Sequence, residues 1–412
     1  MSKLENILKY ISKHNDYYKN IIEKNGIAAP GDIGAYPILS REELQINRYN
    51  MFSDGYKTKY FSQLLRRQSS SGSSGVPVNV YYDYKDWYAC NLPLWRKRLQ
   101  WYGIQPNDKY VLFTLNAFNL TPSREIVYYV NAPSNVMQVN VSLIQDDGGY
   151  EALIDIINEF APKWLYVQPF VLNKLIAAYH RLEVDPPQTI KYIESVGEYL
   201  SSDLRRRAIL CFGVPIANMY GSEEMNAIAF ECPEHHMHIL EDNVYVEVKN
   251  DNGLFRYGEG EAIITNLNNM AMPLVRYNQQ DRIIVARLQN PCCYGGSNTV
   301  VEVVKGRSSD NISANGVEIN LYMLTELVAE VNNQFNDIIR EYKFTYSNQK
   351  QTLTCHIKIN EDDERWFTNV RKMLFYTIHN KFQQGVPFQF KVCKYIPNYL
   401  ENKKKKILEI TD

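Results

Sequence analysis

Trp164-Leu-Tyr-Val-Gln-Pro-Phe-Val-Leu-Asn-Lys-Leu-Ile-Ala-Ala-Tyr-His180 reads as a strand over 164–167 followed at once by a helix over 169–180. The same succession runs to either side. Upstream, 110–115 and 136–141 are β-rich and 150–160 is helical. Downstream, 190–193 is a strand, 201–212 a helix and 215–219 another strand. Strands alternating with helices argue for a parallel sheet covered by helices. Ligands on such sheets bind beyond the strand C-termini, which places Ser195 to Glu198 and Tyr220 to Glu224 where a site belongs.

The flanks read differently. Leu4, Ile7, Leu8 and Ile11 share one face at helical spacing, and Ser40-Arg-Glu-Glu43 has the form of a helix cap. Residues 87–101 read as a helix with Leu92, Trp95 and Leu99 in register. From about 230 the pattern turns to short strands, at 244–248, 262–265 and 283–285, which indicates a β-rich subdomain over about 230–305. Gly306-Arg307 marks a joint. Beyond it, helices over 321–331 and 366–382 with strands over 342–346 and 352–359 form an α+β unit. The expected fold is α/β. A large N-terminal domain (1–306) of parallel-sheet layers carries the β-rich subdomain, and a small mobile α+β domain (307–412) follows it.

A chain of 412 residues exceeds one ordinary core, and its 45% hydrophobic and 22% charged residues are globular proportions. A net charge of −1 gives no field for nucleic acid. No run approaches a membrane span, and the amphipathic N-terminus lacks a signal-peptide core. A cytoplasmic location is therefore expected, with the seven cysteines reduced or metal-bound. For the 31 tyrosines the sequence offers no functional account.

Three stretches carry chemistry. Ser69-Ser-Ser-Gly-Ser-Ser-Gly-Val-Pro77 combines rotatable hydroxyl donors with glycines that let backbone N–H groups close on an anion. It is not a Walker loop, having no Gly-Lys-Ser/Thr closure, and its composition alone equally suits a flexible linker. Asn218-Met-Tyr-Gly-Ser-Glu-Glu224 offers an amide for a base edge, a ring to stack on it and a carboxylate for Mg²⁺, although it also suits a solvated acidic loop. Pro273-Leu-Val-Arg-Tyr-Asn-Gln-Gln-Asp281 ends in a carboxylate able to accept from two vicinal hydroxyls, or in a turn aspartate.

The order of these stretches, followed by Gly306-Arg307 and a C-terminal lysine, resembles the adenylate-forming acyl ligases. More closely it resembles their phenylacetate–coenzyme A ligase and capsule-biosynthesis branch. Tyr36-Pro-Ile-Leu-Ser-Arg-Glu-Glu-Leu44 and Glu231-Cys232 with His238-Ile239 also look like that branch. The resemblance implies that Ser70, Ser71, Gly72, Ser73, Ser74 and Gly75 grip the ATP phosphates. It gives Asn218 and Tyr220 to the adenine, with Gly221 and Ser222 between them and the acidic pair. Glu224 takes Mg²⁺, Asp281 the ribose, and Arg307 the ribose at the hinge. Gly197 and Glu198 belong to a segment lining the adenine and acyl pocket. Lys403, six residues after Pro397, stands at the interval of the family's catalytic lysine, within a run Lys403 to Lys406 that otherwise reads as a solvated tail.

The implied reaction activates a small-molecule carboxylic acid as its acyl-adenylate, then passes the acyl group to coenzyme A. An amine acceptor in capsular polysaccharide biosynthesis and a nucleotide-binding protein without turnover are the alternatives. Five positions depart from the pattern: Glu223 for Thr or Ser, Gln279-Gln280 for Thr-Gly, Ser309 for an acidic residue, and Asn402 for glycine. A zinc site is a second expectation. Cys232, His238, Cys292 and Cys293 are its proposed ligands, with His235 or His236 as substitutes, and two buried thiols beside surface histidines are the alternative. Cysteines at similar places in that branch agree with a structural Zn²⁺. Cys90, Cys211, Cys355 and Cys393 read as core.

Overall fold

A computed structural model describes residues 2–69, 78–114, 127–144, 146–307, 311–314, 317–335, 337–359, 364–381, 387–393, 399–400, 403–404 and 408–411. The chain forms two compact units, each made of two stretches. One comprises 1–106 and 217–304, the other 107–216 and 305–412.

In the first unit, strands Gly253–Phe255, Val244–Asn250, Gly258–Asn266, Tyr277–Arg287, Thr299–Arg307, Met237–Ile239, Asn226–Glu231 and Ile216–Ser222 lie side by side in that order. The resolved pairings among them are antiparallel. Helix Lys3–His14 opens with a capping box between Ser2 and Glu5 and buries Ile7, Leu8 and Ile11, the face expected from spacing. Those residues join a core with Val246, Ile264, Tyr277 and Ile283. Helix Tyr84–Tyr102 departs from expectation. It buries Asp86, Cys90, Pro93, Leu94, Arg98 and Trp101, while Leu92 and Leu99 are exposed. The inward stripe mixes charge with apolar residues because Asp86 accepts the N–H groups of Met270 and Ala271, so periodicity of apolar residues alone picks the wrong face.

In the second unit, strands Tyr192–Val196, Trp164–Val167, Tyr110–Thr114 and Val136–Asn140 are parallel neighbours in that order, with Tyr128–Asn131 antiparallel at the edge. Helices Asp147–Phe160, Pro169–Leu182 and Ser202–Phe212 pack Leu153, Leu172, Leu175 and Leu204 against Val111, Val139 and Ile193. This is the α/β layer expected from the alternation. Residues beyond 305 bury a core of their own, in which helix Leu321–Gln334 covers a sheet ordered Phe388–Val392, Thr352–Ile359, Ile339–Ser347 and Leu408–Thr411. Polar bonds join this core to the α/β layer. Lys174 Nζ reaches Glu341 at 2.8 Å, Asn332 Nδ2 reaches Asp203 at 3.1 Å, and Tyr199 Oη reaches Glu326 at 2.9 Å.

Candidate active site

The Asn218–Glu224 and Pro273–Asp281 stretches and the two strands that flank the serine-rich stretch meet in the first unit. Strand Arg66–Ser69 pairs antiparallel with Asn79–Tyr82, Ser69 opposite Asn79, so the two flanks of the serine-rich stretch are held together. Ser70 to Gly75 lie outside the described residues. At the far end of the second flank, Tyr82 donates to the Glu224 carbonyl oxygen at 2.6 Å. Burial keeps the Tyr82 phenol well above its usual pKa, so it stays a donor. This bond ties the Asn79–Tyr82 strand to the Asn218–Glu224 stretch.

Residues 216–222 and 226–231 form a hairpin whose register shifts between Tyr220 and Gly221. Only glycine fits at 221, because a Cβ there would lie 2.5 Å from the Asn226 carbonyl oxygen. The irregularity turns the buried Tyr220 side chain towards the next stretch, where its hydroxyl donates to Asp281 Oδ2 at 2.8 Å. The proposed adenine ring and the proposed ribose carboxylate are thus direct partners. Asn218 is fixed through its backbone N–H, which donates to Glu231 Oε2 at 2.6 Å, and its side chain is half-buried. Ser222 Oγ accepts from the Met225 N–H at 3.2 Å and caps the turn.

Glu224 is buried. Its Oε1 accepts from the Tyr277 hydroxyl at 3.3 Å and lies 3.8 Å from Arg41 Nη1. Arg41 comes from the Tyr36–Leu44 segment that also resembles the family. As a Mg²⁺ ligand Glu224 fits only by giving up these partners, since a dication would otherwise face a guanidinium.

Two interactions here were not foreseen. Arg276, counted from sequence only as part of a motif, grips Glu247 with Nε–Oε2 at 2.9 Å and Nη2–Oε1 at 2.7 Å, and donates to the Tyr36 carbonyl at 2.9 Å. Tyr18 accepts the Val275 N–H at 2.9 Å and donates to the Pro273 carbonyl at 3.2 Å. Together they seat the chain leading to Asp281. A buried, charge-paired arginine leaves no trace in apolar spacing.

The remaining site candidates lie in the second unit. Gly197 and Glu198 follow strand Tyr192–Val196, and Glu198 Oε2 accepts the Phe170 N–H at 3.3 Å. Arg307 ends strand Thr299–Arg307 and is half-buried. Lys403 lies in a two-residue strand, opposite Leu400. Ser309 and Asn402 lie outside the described residues.

Cys232, His236, His238 and Cys292 converge, with one ligand atom from each all within 4.8 Å of one another. Of the four ligands proposed from sequence, Cys293 does not join them; it is exposed, and His236 takes its place. Cys292 Sγ faces Cys232 Sγ at 3.7 Å. His235 turns instead to Glu231, at 3.1 Å. Cys90 and Cys355 are buried as expected, and Cys211 and Cys393 are half-buried.

No family model matches the chain. It is similar over nearly its whole length to Protein CapK of Staphylococcus aureus, at 23% identity covering 98% of this chain and 87% of that protein. It is also similar to the phenylacetate-coenzyme A ligase of Aromatoleum evansii, at 22% identity covering 88% of this chain and 81% of that one. Among solved structures, 2-hydroxyisobutyryl-CoA ligase in its postadenylation state, bound to an acyl-AMP, superposes with a TM-score of 0.78 at 16% identity. That match covers 100% of this chain and 88% of that one. The anthranilate CoA ligase AuaEII with anthranoyl-AMP superposes with a TM-score of 0.56 at 14% identity, covering 83% of this chain and 66% of that one. Among the described residues no helix is long and apolar enough to cross a membrane.

Proposed function

We propose that this chain, an adenylate-forming ligase of the phenylacetate–coenzyme A ligase and capsule-biosynthesis branch, activates a carboxylic acid with ATP and passes the acyl group to coenzyme A. The Tyr220 hydroxyl on the Asp281 carboxylate carries the reading. Two residues 61 positions apart come within one hydrogen bond where the ring must stack on adenine and the carboxylate must take the ribose hydroxyls. The bond fixes both side chains before nucleotide arrives, and binding then costs less side-chain ordering.

The proposed reaction has two displacements. A substrate carboxylate oxygen attacks the ATP α-phosphorus, the bond to the bridging oxygen breaks, and pyrophosphate leaves. The coenzyme A thiolate then attacks the acyl carbon and AMP departs with the bonding electrons. Lys403 supplies the ammonium that meets charge growing on the carboxylate and α-phosphate, and the serine-rich stretch 70–75 supplies donors to the outgoing phosphates. Gly197 and Glu198 line the acyl side, Arg307 serves the ribose, and residues 307–412 are the mobile part. Mg²⁺ accompanies ATP and neutralises phosphate charge when bound; Glu224 is the chain's own candidate to hold it.

The test is acid-dependent ATP–pyrophosphate exchange over a panel of aryl and alkyl acids, followed by acceptor-dependent AMP release with coenzyme A and with amines. At least one acid is expected to drive exchange, and Lys403→Ala is expected to abolish it while AMP still binds. Exchange with no acid of a broad panel, while AMP binds, would refute adenylation in favour of nucleotide binding alone. AMP release with an amine but not with coenzyme A would move the acceptor to the capsule-type alternative.

A further inference from the structure

We propose that Cys232, His236, His238 and Cys292 form a tetrahedral zinc site that clamps the Asn226–Glu231/Met237–Ile239 hairpin to the 288–298 loop. The loop joins strands Tyr277–Arg287 and Thr299–Arg307, so the four ligands come from two segments distant in sequence.

The donor set is what zinc takes: two thiolates and two imidazoles. Zn–S bonds of about 2.3 Å at the tetrahedral angle place two sulfurs about 3.75 Å apart. Cys232 and Cys292 Sγ are 3.7 Å apart. That separation is too long for a disulfide, whose sulfurs sit at about 2.05 Å. The imidazoles are prepared in the same sense. His238 is 1% exposed, and its Nδ1 meets the Ser297 carbonyl at 2.6 Å, which makes Nδ1 the donor and leaves Nε2 a lone pair. That buried Nε2 has no hydrogen-bond partner among the described residues, and neither does the buried Nδ1 of His236. Two unsatisfied ring nitrogens beside two facing thiols are costly unless an ion takes all four lone pairs. Gly296 is part of the arrangement, because a Cβ there would lie 2.4 Å from the His238 ring.

The turn between the hairpin strands is closed independently of any ion. Cys232 N–H donates to the His236 carbonyl at 3.0 Å and His235 N–H to the Cys232 carbonyl at 2.8 Å. Trp101 backs the cluster, with its ring 5.4 Å from that of His238 and its Nε1 donating to the Tyr294 carbonyl at 2.8 Å. Binding releases one proton from each thiol and leaves a neutral centre, the arrangement a buried site tolerates. Cys232 directly follows Glu231, whose carboxylate holds the Asn218 N–H. The clamp therefore steadies strand Asn226–Glu231, against which the strand carrying Asn218 and Tyr220 pairs.

The test starts from full-length protein purified under reducing conditions with no added metal. Elemental analysis is expected to find about one zinc per chain, in line with a closed four-ligand site. Cys292→Ser is expected to lose it and Cys293→Ser to keep it. Cobalt(II) added to metal-stripped protein should give an intense tetrahedral spectrum with thiolate charge-transfer bands. Removing the ion should speed hydrogen exchange in peptides covering 216–239 and 288–299. Protein without zinc whose cobalt spectrum stays that of the hydrated ion overturns the proposal, as does equal zinc loss in the two serine variants. Unchanged exchange on metal removal overturns the clamp. If Cys292→Ser fails to fold, the wild-type cobalt spectrum alone decides. None of these readouts depends on adenylation.

Discussion

Replacing Arg276 by alanine removes one half of a buried bidentate ion pair and leaves the other half in place. Arg276 is 8% exposed and Glu247 6%. The alanine variant strands a carboxylate with no counter-ion, and takes the guanidinium donors away from the Tyr36 and Gly34 carbonyls. Breaking a buried pair from one side costs about 3–5 kcal/mol, and each lost bond to a carbonyl adds roughly 0.5–1.5 kcal/mol. A total of about 4–8 kcal/mol against a urea slope of about 2–3 kcal/mol/M should lower the unfolding midpoint by roughly 1.5–4 M. The assay is urea unfolding followed by tyrosine and tryptophan fluorescence, with ATP affinity measured beside it. Removing both charges in Arg276→Met/Glu247→Leu should recover most of the loss, because the desolvation cost of both ions disappears with their attraction. A single-variant shift below about 0.5 M would show that the pair is not closed in solution. A double variant no more stable than the single one would refute the argument that the stranded carboxylate dominates.

Two further outcomes follow from the nucleotide hairpin. Tyr220→Phe keeps the ring for stacking but removes the 2.8 Å bond to Asp281, a charge-assisted bond whose loss should weaken ATP binding about tenfold by calorimetry. Unchanged affinity would mean that the bond does not order the site. Gly221→Ala sets a methyl 2.5 Å from the Asn226 carbonyl, so the hairpin must open; a loss of about 1–3 kcal/mol in stability is expected, with faster amide exchange across 216–231. Wild-type protection in that variant would show that the backbone gives way without cost.

What could be foreseen here followed from periodicity and from local chemistry. Alternation of strand and helix over 110–219 gave the parallel layer because each element there buries apolar residues at its own period, as Leu172 and Leu175 do on helix Pro169–Leu182. For helix Tyr84–Tyr102 apolar spacing picks the wrong face for the converse reason: its inward residues include the charged Asp86 and Arg98, and Asp86 is held by the Met270 and Ala271 N–H groups far along the chain. The site divides the same way. Tyr220 and Asp281 were named because a ring and a carboxylate suit a nucleoside, yet their contact depends on a register shift at Gly221 that no residue type announces. The choice of His236 over Cys293 depends on which side chains the fold brings within 4.8 Å of one another, which residue type and spacing do not determine. The tyrosines show the limit most clearly. Tyr18, Tyr82, Tyr220 and Tyr277 each spend a hydroxyl fixing one of the three chemistry-bearing stretches. A phenol can do this where serine cannot, because its ring fills core volume while its hydroxyl reaches a polar partner at the core's edge. From composition the same residues are only an excess of one letter, since their use lies in partners dozens to hundreds of positions away.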